Sequence, residues 1–370
     1  MTETKKKKVL SIDGGGVKGI IPARILQEIE TRTSKAICEL FDIITGTSTG
    51  GLLALGLTAP IFTINGNGVI SSTPDPRYSA TELVQFYLER SKEIFPKSSL
   101  IREIKTGFGL WGSKYDRVPL DTILEEVFNG TLLSWSLCPV FIPIYSLDHD
   151  KPFIASSIYA RTECDFYMKD IAGATTAAPT YFDPKTFKSF ATTLGHNYQG
   201  VDGGIYANNP ELIGLTAVYI MHPDLDVDDI VLCSLGCGRE IFSYLTQASI
   251  EAEGKLTSLD MENTLSETQP TNIRYSSDNG EIGWLKNRHI IDRMIDAESA
   301  IAETAITAML KRTNHFRFQP TVCSGMIPRL PAMDDSSDDS LKFLLALAED
   351  FITKNSNDID NLCKELMENK

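Results

Sequence analysis

Residues 41–59 read FDIITGTSTGGLLALGLTA, an apolar run, a tight polar turn and a second run rich in small apolar residues. Residues 41–45 have the composition of a buried strand, and the run after the turn has that of a helix. The turn fits the pattern Gly-x-Ser-x-Gly, in which a serine occupies a sharp bend between a strand and a helix. The stretch therefore predicts a strand, a nucleophile elbow at Ser48 and a helix over 51–59.

A second strand-turn-helix unit lies upstream. Residues 9–12 are apolar, Asp13 and three glycines follow, and isoleucines and leucines then recur at helical spacing over 20–29. Two such units predict an α/β fold with a mainly parallel sheet, whose active groups lie at the carboxyl ends of the strands. Three successive glycines leave backbone N–H groups open to an anion, either a substrate phosphate or the oxyanion of acyl transfer. The spacing fits neither glycine pattern for phosphate binding, which favours an oxyanion hole.

A third cluster, Asp202-Gly203-Gly204, precedes Asn208-Asn209-Pro210 and a helical run. Pro210 suits the first turn of that helix, with Asn209 as its N-cap. The pattern therefore predicts Asp202 in a glycine-rich loop at a strand end, as an Asx-turn residue that is also available as a general base.

These motifs, together with ATTAAPTYF at 174–182, stand in the order seen in patatin-like phospholipases, and the chain resembles that family over about residues 8–210. The resemblance implies a three-layer α/β/α fold and lipid acyl hydrolysis through an acyl-enzyme intermediate, with Ser48 as nucleophile and Asp202 as base. Lys18 stands where the family usually carries arginine, so the charge is kept but the planar fork is lost. The implied oxyanion hole is Gly14, Gly15 and Gly16, and the supporting motif residues are Asp13, Lys18, Gly19, Gly46, Gly50, Gly203 and Gly204.

Some bacterial relatives with a similar first half act in antiphage defence and are switched on by cyclic nucleotides. The chain resembles that subgroup in its length and in residues 42–57, so a cyclic nucleotide is a candidate activator. Residues 8–210 are predicted to form the catalytic core, and residues 211–370 to complete the same globule, with a mobile segment at 242–281. The predicted helices are 80–95, 119–128, 290–309 and 341–366, and the predicted later strands are 139–147, 152–156 and 230–235.

The chain has 370 residues and a formal net charge of −14, which disfavours binding to nucleic acid polymers. Its dense basic run, Lys5 to Lys8, is interpreted as a solvated face beside the first strand, with a weak contact to an anionic membrane as the alternative. Seven scattered cysteines without a C-x-x-C pair favour a reducing compartment over a disulfide framework or a zinc site. The apolar run after the lysines is too short for a signal peptide. We expect a cytoplasmic protein without metal or cofactor that contacts membrane surfaces transiently.

Histidine is the usual base for a serine nucleophile, but none of the three histidines after Asp202 lies in a glycine-rich catalytic turn, so a Ser-Asp dyad is favoured over a triad. An apolar groove near Ser48 is expected for the acyl chain, and residues 108–111 are a candidate membrane contact. The alternatives left open are a soluble esterase or thioesterase on small acyl substrates, and a catalytically silent binding protein; an oligomer is also left open. The histidines are His149, His196, His222, His289 and His315, and the groove candidates are Val17, Leu52, Leu53, Tyr181 and Phe182.

Overall fold

The computed structural model describes residues 6–62, 74–96, 112–190, 196–241, 290–323 and 330–368. The predicted mobile segment 242–281 and the candidate membrane contact 108–111 lie outside these residues. The described strands are β1 (Lys7–Ile12), β2 (Ile43–Gly46), β3 (Pro60–Ile61), β4 (Asp75–Pro76), β5 (Val140–Ser146), β6 (Lys151–Ser156), β7 (Lys185–Lys188), β8 (Asn197–Asp202), β9 (Ile230–Leu235), β10 (Arg239–Ile241), β11 (His315–Phe318) and β12 (Thr321–Cys323).

Helices surround the main sheet, which eight of these strands form. The short segments 16–19, 133–135 and 227–229 are 3-10 helices. The described α-helices are α1 (Ile20–Thr33), α2 (Ile37–Leu40), α3 (Thr49–Thr58), α4 (Ala80–Ile94), α5 (Arg117–Phe128), α6 (Ser157–Ala160), α7 (Met168–Thr175), α8 (Gly204–Ala207), α9 (Glu211–Met221), α10 (Ile290–Met309), α11 (Asp338–Lys354) and α12 (Ser356–Met367).

The main sheet of the described chain has the order β11-β9-β1-β2-β5-β8-β7, with β6 also paired to β5. The first five of these strands run parallel to one another. Strands β6 and β8 each pair antiparallel with β5, and β7 pairs antiparallel with β8. Successive residues of β1 face opposite layers, since Val9 packs with α9 and α10 residues and Leu10 packs with α1 and α3 residues. Both faces of the sheet are therefore buried, and the predicted three-layer α/β/α fold is confirmed.

One edge of β5 receives two different strands. Residues 44–45 of β2 pair with residues 140–141, and residues 202–200 of β8 pair antiparallel with residues 144–146. The other edge is occupied by β6 along residues 141–146. Because β2 and β8 share an edge and run toward each other, their carboxyl ends meet beside the middle of β5. This arrangement brings the turn after β2 next to the end of β8.

The structure corrects two sequence-based expectations. The helix predicted over 341–366 is two helices, because Asn355 leaves the helical conformation at φ −108° and its amide donates back to the Phe351 carbonyl. Of the lysine run, Lys5 lies outside the described residues, and the rest is not a solvated face either. Lys8 is buried and its Nζ donates to the carbonyls of Leu366 and Glu368, at 2.7 and 2.8 Å, while Lys6 pairs with Glu365.

Among the described helices, none combines the length and the apolar composition needed to cross a bilayer. The first strand and the last helix are joined by the contacts of Lys6 and Lys8 just described.

Replacing Lys8 by alanine is expected to lower the free energy of unfolding by about 2 kcal/mol, because two carbonyl oxygens lose a charged donor. Lys6→Ala is the matched control, since its ion pair is 35% exposed on the lysine side and should contribute less than about 1 kcal/mol. Urea unfolding of both variants measures the difference. Equal losses would show that burial of Lys8 does not strengthen its contacts.

Candidate active site

Ser48 lies at the bend between β2 and α3 with φ 55° and ψ −123°. A residue with a side chain rarely adopts a positive φ, and such strain concentrates at functional sites. The bend is tight because glycines surround it: a Cβ at Gly46 would overlap the Gly50 backbone, and one at Gly50 would overlap the Ile12 carbonyl. The Ser48 hydroxyl makes no capping hydrogen bond to α3, so it is not an ordinary N-cap serine.

Neighbouring threonines fix the backbone of this elbow. The Ser48 N–H donates to the Thr175 hydroxyl oxygen at 3.0 Å, and that hydroxyl donates to the Pro143 carbonyl at 2.8 Å. Thr47 donates to the Ala207 carbonyl at 2.5 Å. The elbow is thereby tied to α7, to β5 and to the segment that follows Asp202.

Asp202 is the last residue of β8 and is 4% exposed. The Ser48 hydroxyl faces its carboxylate and lowers its pKa, and the Gly204 N–H donates to Oδ1 at 2.7 Å. Burial raises the pKa of Asp202 from 3.8 to about 7, against the opposing effect of these two donors. Burial disfavours the charged form, so the carboxylate is a much stronger base than an exposed aspartate. Gly203 allows the turn, because a Cβ there would clash with the Pro143 carbonyl.

The glycine loop passes beside this pair, since a Cβ at Gly14 would lie 3.2 Å from the Ser48 Cβ. The Gly14 N–H already donates to the Asn208 carbonyl at 3.0 Å, which corrects its predicted place in the oxyanion hole. Across the described residues, the N–H groups of Gly15 and Gly16 donate to no protein acceptor. Gly16 has φ +60°, and a Cβ at Gly15 would overlap Cys237. The open donors of the loop are therefore Gly15 and Gly16.

Asp13, at the start of the loop, is 2% exposed and bonded to both terminal nitrogens of Arg317. Burial raises the pKa of Asp13 to about 6, although Arg317 acts in the opposite direction. Lys18 lines the pocket in front of Ser48, whereas Gly19 lies against Thr49 and Tyr87, whose hydroxyls hydrogen-bond to each other. A Cβ at Gly19 would overlap both hydroxyls.

A cavity of about 140 Å³ connects Ser48 and Asp202 to a largely apolar interior. Four of the groove candidates line it: Val17, Leu52, Tyr181 and Phe182. Leu53 does not, because it points into the core and is 1% exposed. The lining also includes polar and charged side chains, among them Lys18, Arg239, Asp296, Ser299 and Gln319. Its other apolar residues include Phe86, Ile94, Phe95 and Leu120.

Histidine does not enter the described lining of this cavity. His315 is buried near Glu211, with 3.6 Å between Nε2 and Oε1, and His149 hydrogen-bonds to Ser146. His289 lies outside the described residues. The described part of the chain also contains no cluster of histidine, cysteine and carboxylate side chains that is suited to hold a metal ion.

Sequence analysis missed three residues that support the site. Asn208 holds Gly14 through its carbonyl and contacts Ser299 on α10 through its side chain. Glu298, also on α10, accepts the Asn209 N–H at 3.0 Å, and burial raises the pKa of its carboxyl to about 7. Arg317 comes from a short strand near the end of the chain. The sequence predicted Asn209 as an N-cap with Pro210 in the first turn, but the helix begins at Glu211 and Pro210 is its N-cap. Nothing local marks Glu298 or Arg317.

Asp202→Asn is expected to make the protein more stable than the wild type, by a margin that grows from pH 4 to pH 7 and is then constant. The native carboxyl stays protonated up to about pH 7, whereas the unfolded one ionises near 3.8, so unfolding in this window releases a proton. Rising pH therefore lowers the wild-type free energy of unfolding through this group, by up to about 4 kcal/mol. Urea unfolding between pH 4 and 8 tests this, and a margin independent of pH would contradict it.

The comparisons with known proteins identify the family of the chain. A family model described as patatin-like phospholipase matches residues 10–215. Patatin-T5 of Solanum tuberosum is 30% identical over 94% of this chain and 83% of its own length. Patatin-like protein 2 of Arabidopsis thaliana is 31% identical over 86% of this chain and 76% of its own. Probable inactive patatin-3-Kuras 1 of Solanum tuberosum is 35% identical over 62% of each chain. The chain belongs to the patatin-like phospholipase family.

Proposed function

We propose that the protein hydrolyses the carboxylic ester bonds of phospholipids or related acyl lipids, with Ser48 and Asp202 as a catalytic dyad. The observation that carries this proposal is a strained serine that faces a buried aspartate at the wall of an apolar cavity. Similarity to a probable inactive relative shows that family membership alone does not establish activity. Activity therefore depends on the residues of this chain.

In the first step, the Ser48 oxygen attacks the ester carbonyl while ionised Asp202 takes the hydroxyl proton. The proton passes directly between the two facing side chains, and a base with a pKa of about 7 is well matched to neutral pH. The carbonyl oxygen becomes an anion, which the N–H groups of Gly15 and Gly16 can stabilise. Collapse of this intermediate expels the alcohol, which receives the proton from Asp202, and leaves an acyl ester on Ser48.

In the second step, water attacks the acyl ester on Ser48. Asp202 takes a proton from the water, the same amides stabilise the second oxyanion, and Ser48 regains its proton as the fatty acid leaves. The acyl chain would lie along the apolar lining formed by residues such as Leu52, Phe86 and Phe182. Burial of that chain supplies binding free energy and also excludes water from the dyad.

The alternative of a soluble esterase or thioesterase uses the same dyad, and the mainly apolar lining of the cavity favours an apolar acyl chain over a polar substrate. A silent binding protein is disfavoured because a strained elbow and a buried ionisable carboxyl both lower the stability of the fold. A protein without catalytic activity would have no use for either feature. Transient membrane contact, an oligomer, cytoplasmic location and activation by a cyclic nucleotide in antiviral defence remain predictions. Purified protein assayed with and without cyclic nucleotides tests the activator.

Ser48→Ala and Asp202→Asn are each expected to abolish ester hydrolysis while the fold is retained, since one removes the nucleophile and the other the base. In the wild type, kcat/KM should rise with pH and level off above about pH 7, because Asp202 must be ionised. Fatty acid release from phospholipid micelles, measured by mass spectrometry, is the assay. Circular dichroism controls for folding, and substantial activity in a folded Ser48→Ala variant would overturn the dyad.

Leu52→Ala is expected to lower kcat/KM for a long-chain ester by about tenfold, with a smaller effect on an acetyl ester, because the acyl chain loses an apolar contact. Leu53→Ala is the matched control, since Leu53 follows Leu52 in α3 but faces the core rather than the cavity. It should reduce stability without changing the ratio of the two activities. Equal losses on long and short esters in Leu52→Ala would favour a small-substrate esterase.

A further inference from the structure

The glycine loop has a single polar side chain with which to hold its position. Of residues 13–17, four are glycine or valine, and only Asp13 can form side-chain hydrogen bonds. The backbone contributes three further contacts: Asp13 N–H to the Leu235 carbonyl, Gly14 N–H to the Asn208 carbonyl, and Val17 N–H to the Met333 carbonyl. The orientation of the Gly15 and Gly16 amides thus depends on the two ends of the loop.

Arg317 holds the first of these ends. Its Nη1 donates to Asp13 Oδ1 at 2.9 Å and its Nη2 to Oδ2 at 2.6 Å. Two parallel hydrogen bonds fix the plane of a carboxylate as well as its position, which a single donor does not. Arg317 lies on β11, two strands away from β1, and its side chain reaches past Ser234 of the intervening strand, to which it also donates at 2.7 Å.

Two more carboxylates surround the guanidinium. Glu211 at the start of α9 lies 3.8 Å from Nη1, and Glu303 of α10 lies 3.8 Å from Nε. The Arg317 side chain is 8% exposed and that of Glu211 is fully buried. Such a buried cluster gains little stability over an apolar core, because each charge loses its hydration. Its retention beside the glycine loop therefore suggests a role in geometry rather than in stability.

We propose that Arg317 is a positioning residue, which holds the Gly15 and Gly16 amides in line for the oxyanion by fixing the Asp13 carboxylate. This inference rests on the proposed function of Ser48 and Asp202 and extends it to a strand outside the matched family region. Amides that contact the oxyanion act only in the transition state, so a displaced loop lowers kcat and leaves substrate binding almost unchanged.

The test is Arg317→Lys, which keeps the charge but removes the fork. We expect kcat per active site to fall about 10- to 100-fold, the effect of a displacement near 1 Å, with KM changed by less than about twofold. Active sites are counted by the amount of fluorophosphonate that reacts, and kcat is calculated per reactive site. A partly unfolded sample therefore does not imitate a fall in kcat. Arg32→Lys is the matched control: its guanidinium also contacts two carboxylates, Glu28 and Asp360, but at the far end of α1, and wild-type kcat is expected.

Hydrogen exchange of the Gly14 and Val17 amides gives a second readout that needs no activity. Both amides donate hydrogen bonds within the fold, and both should exchange faster in Arg317→Lys but not in Arg32→Lys. If the wild type hydrolyses no ester, the proposed function fails, and the exchange result still decides whether Arg317 holds the loop.

A folded Arg317→Lys variant with wild-type kcat and wild-type exchange would overturn the proposal. So would a loss confined to KM or to the number of active sites. If Arg317→Lys does not fold, Asp13→Asn removes the same fork and should show the same fall in kcat with KM retained. Failure of both variants to fold would mean that the pair serves stability alone, which also contradicts the proposal.

Discussion

The pairing of β2 and β8 with the same edge of β5 is the constraint on which the site depends. A parallel strand and an antiparallel strand approach each other along that edge, so that Ser48 and Asp202 follow from opposite directions and meet. No covalent link or metal ion is needed to hold them together. The ladder hydrogen bonds of β5 set the separation, and the elbow and the Gly203 turn then aim the two side chains at each other.

Burial around Asp202 has two opposing effects. The same removal of water that makes the carboxylate a usable base also makes its ionised form unfavourable in the folded protein. Two donors, the Ser48 hydroxyl and the Gly204 amide, offset part of that penalty. The apolar cavity therefore acts on both the substrate and the base. It offers apolar contacts to an acyl chain, and it keeps the dielectric constant low around Asp202. Activity and stability are in conflict at this one residue.

Sequence alone predicted the features that short segments encode. The elbow at Ser48, the glycine loop and the mainly parallel α/β sheet all follow from strand-turn-helix patterns within some twenty residues, whereas the three layers were implied by the family resemblance. Contacts between distant segments were not predictable in this way: the Gly14 amide is occupied by Asn208, and the Asp13 carboxylate by Arg317. The break at Asn355 was missed because the apolar spacing continues through it. Lys8 was misjudged because charge patterns do not reveal which end of the chain packs nearby.

The head-to-head arrangement on β5 makes strand length a sharper requirement than strand composition. β8 is held between β5 and β7, and side chains along it alternate between the two faces of the sheet. A one-residue deletion within β8 would rotate the aspartate to the opposite layer while leaving every sequence motif intact. Among relatives, an indel of odd length between 197 and 202 would thus mark loss of the reaction even where the glycine triplet, the elbow and the aspartate all persist.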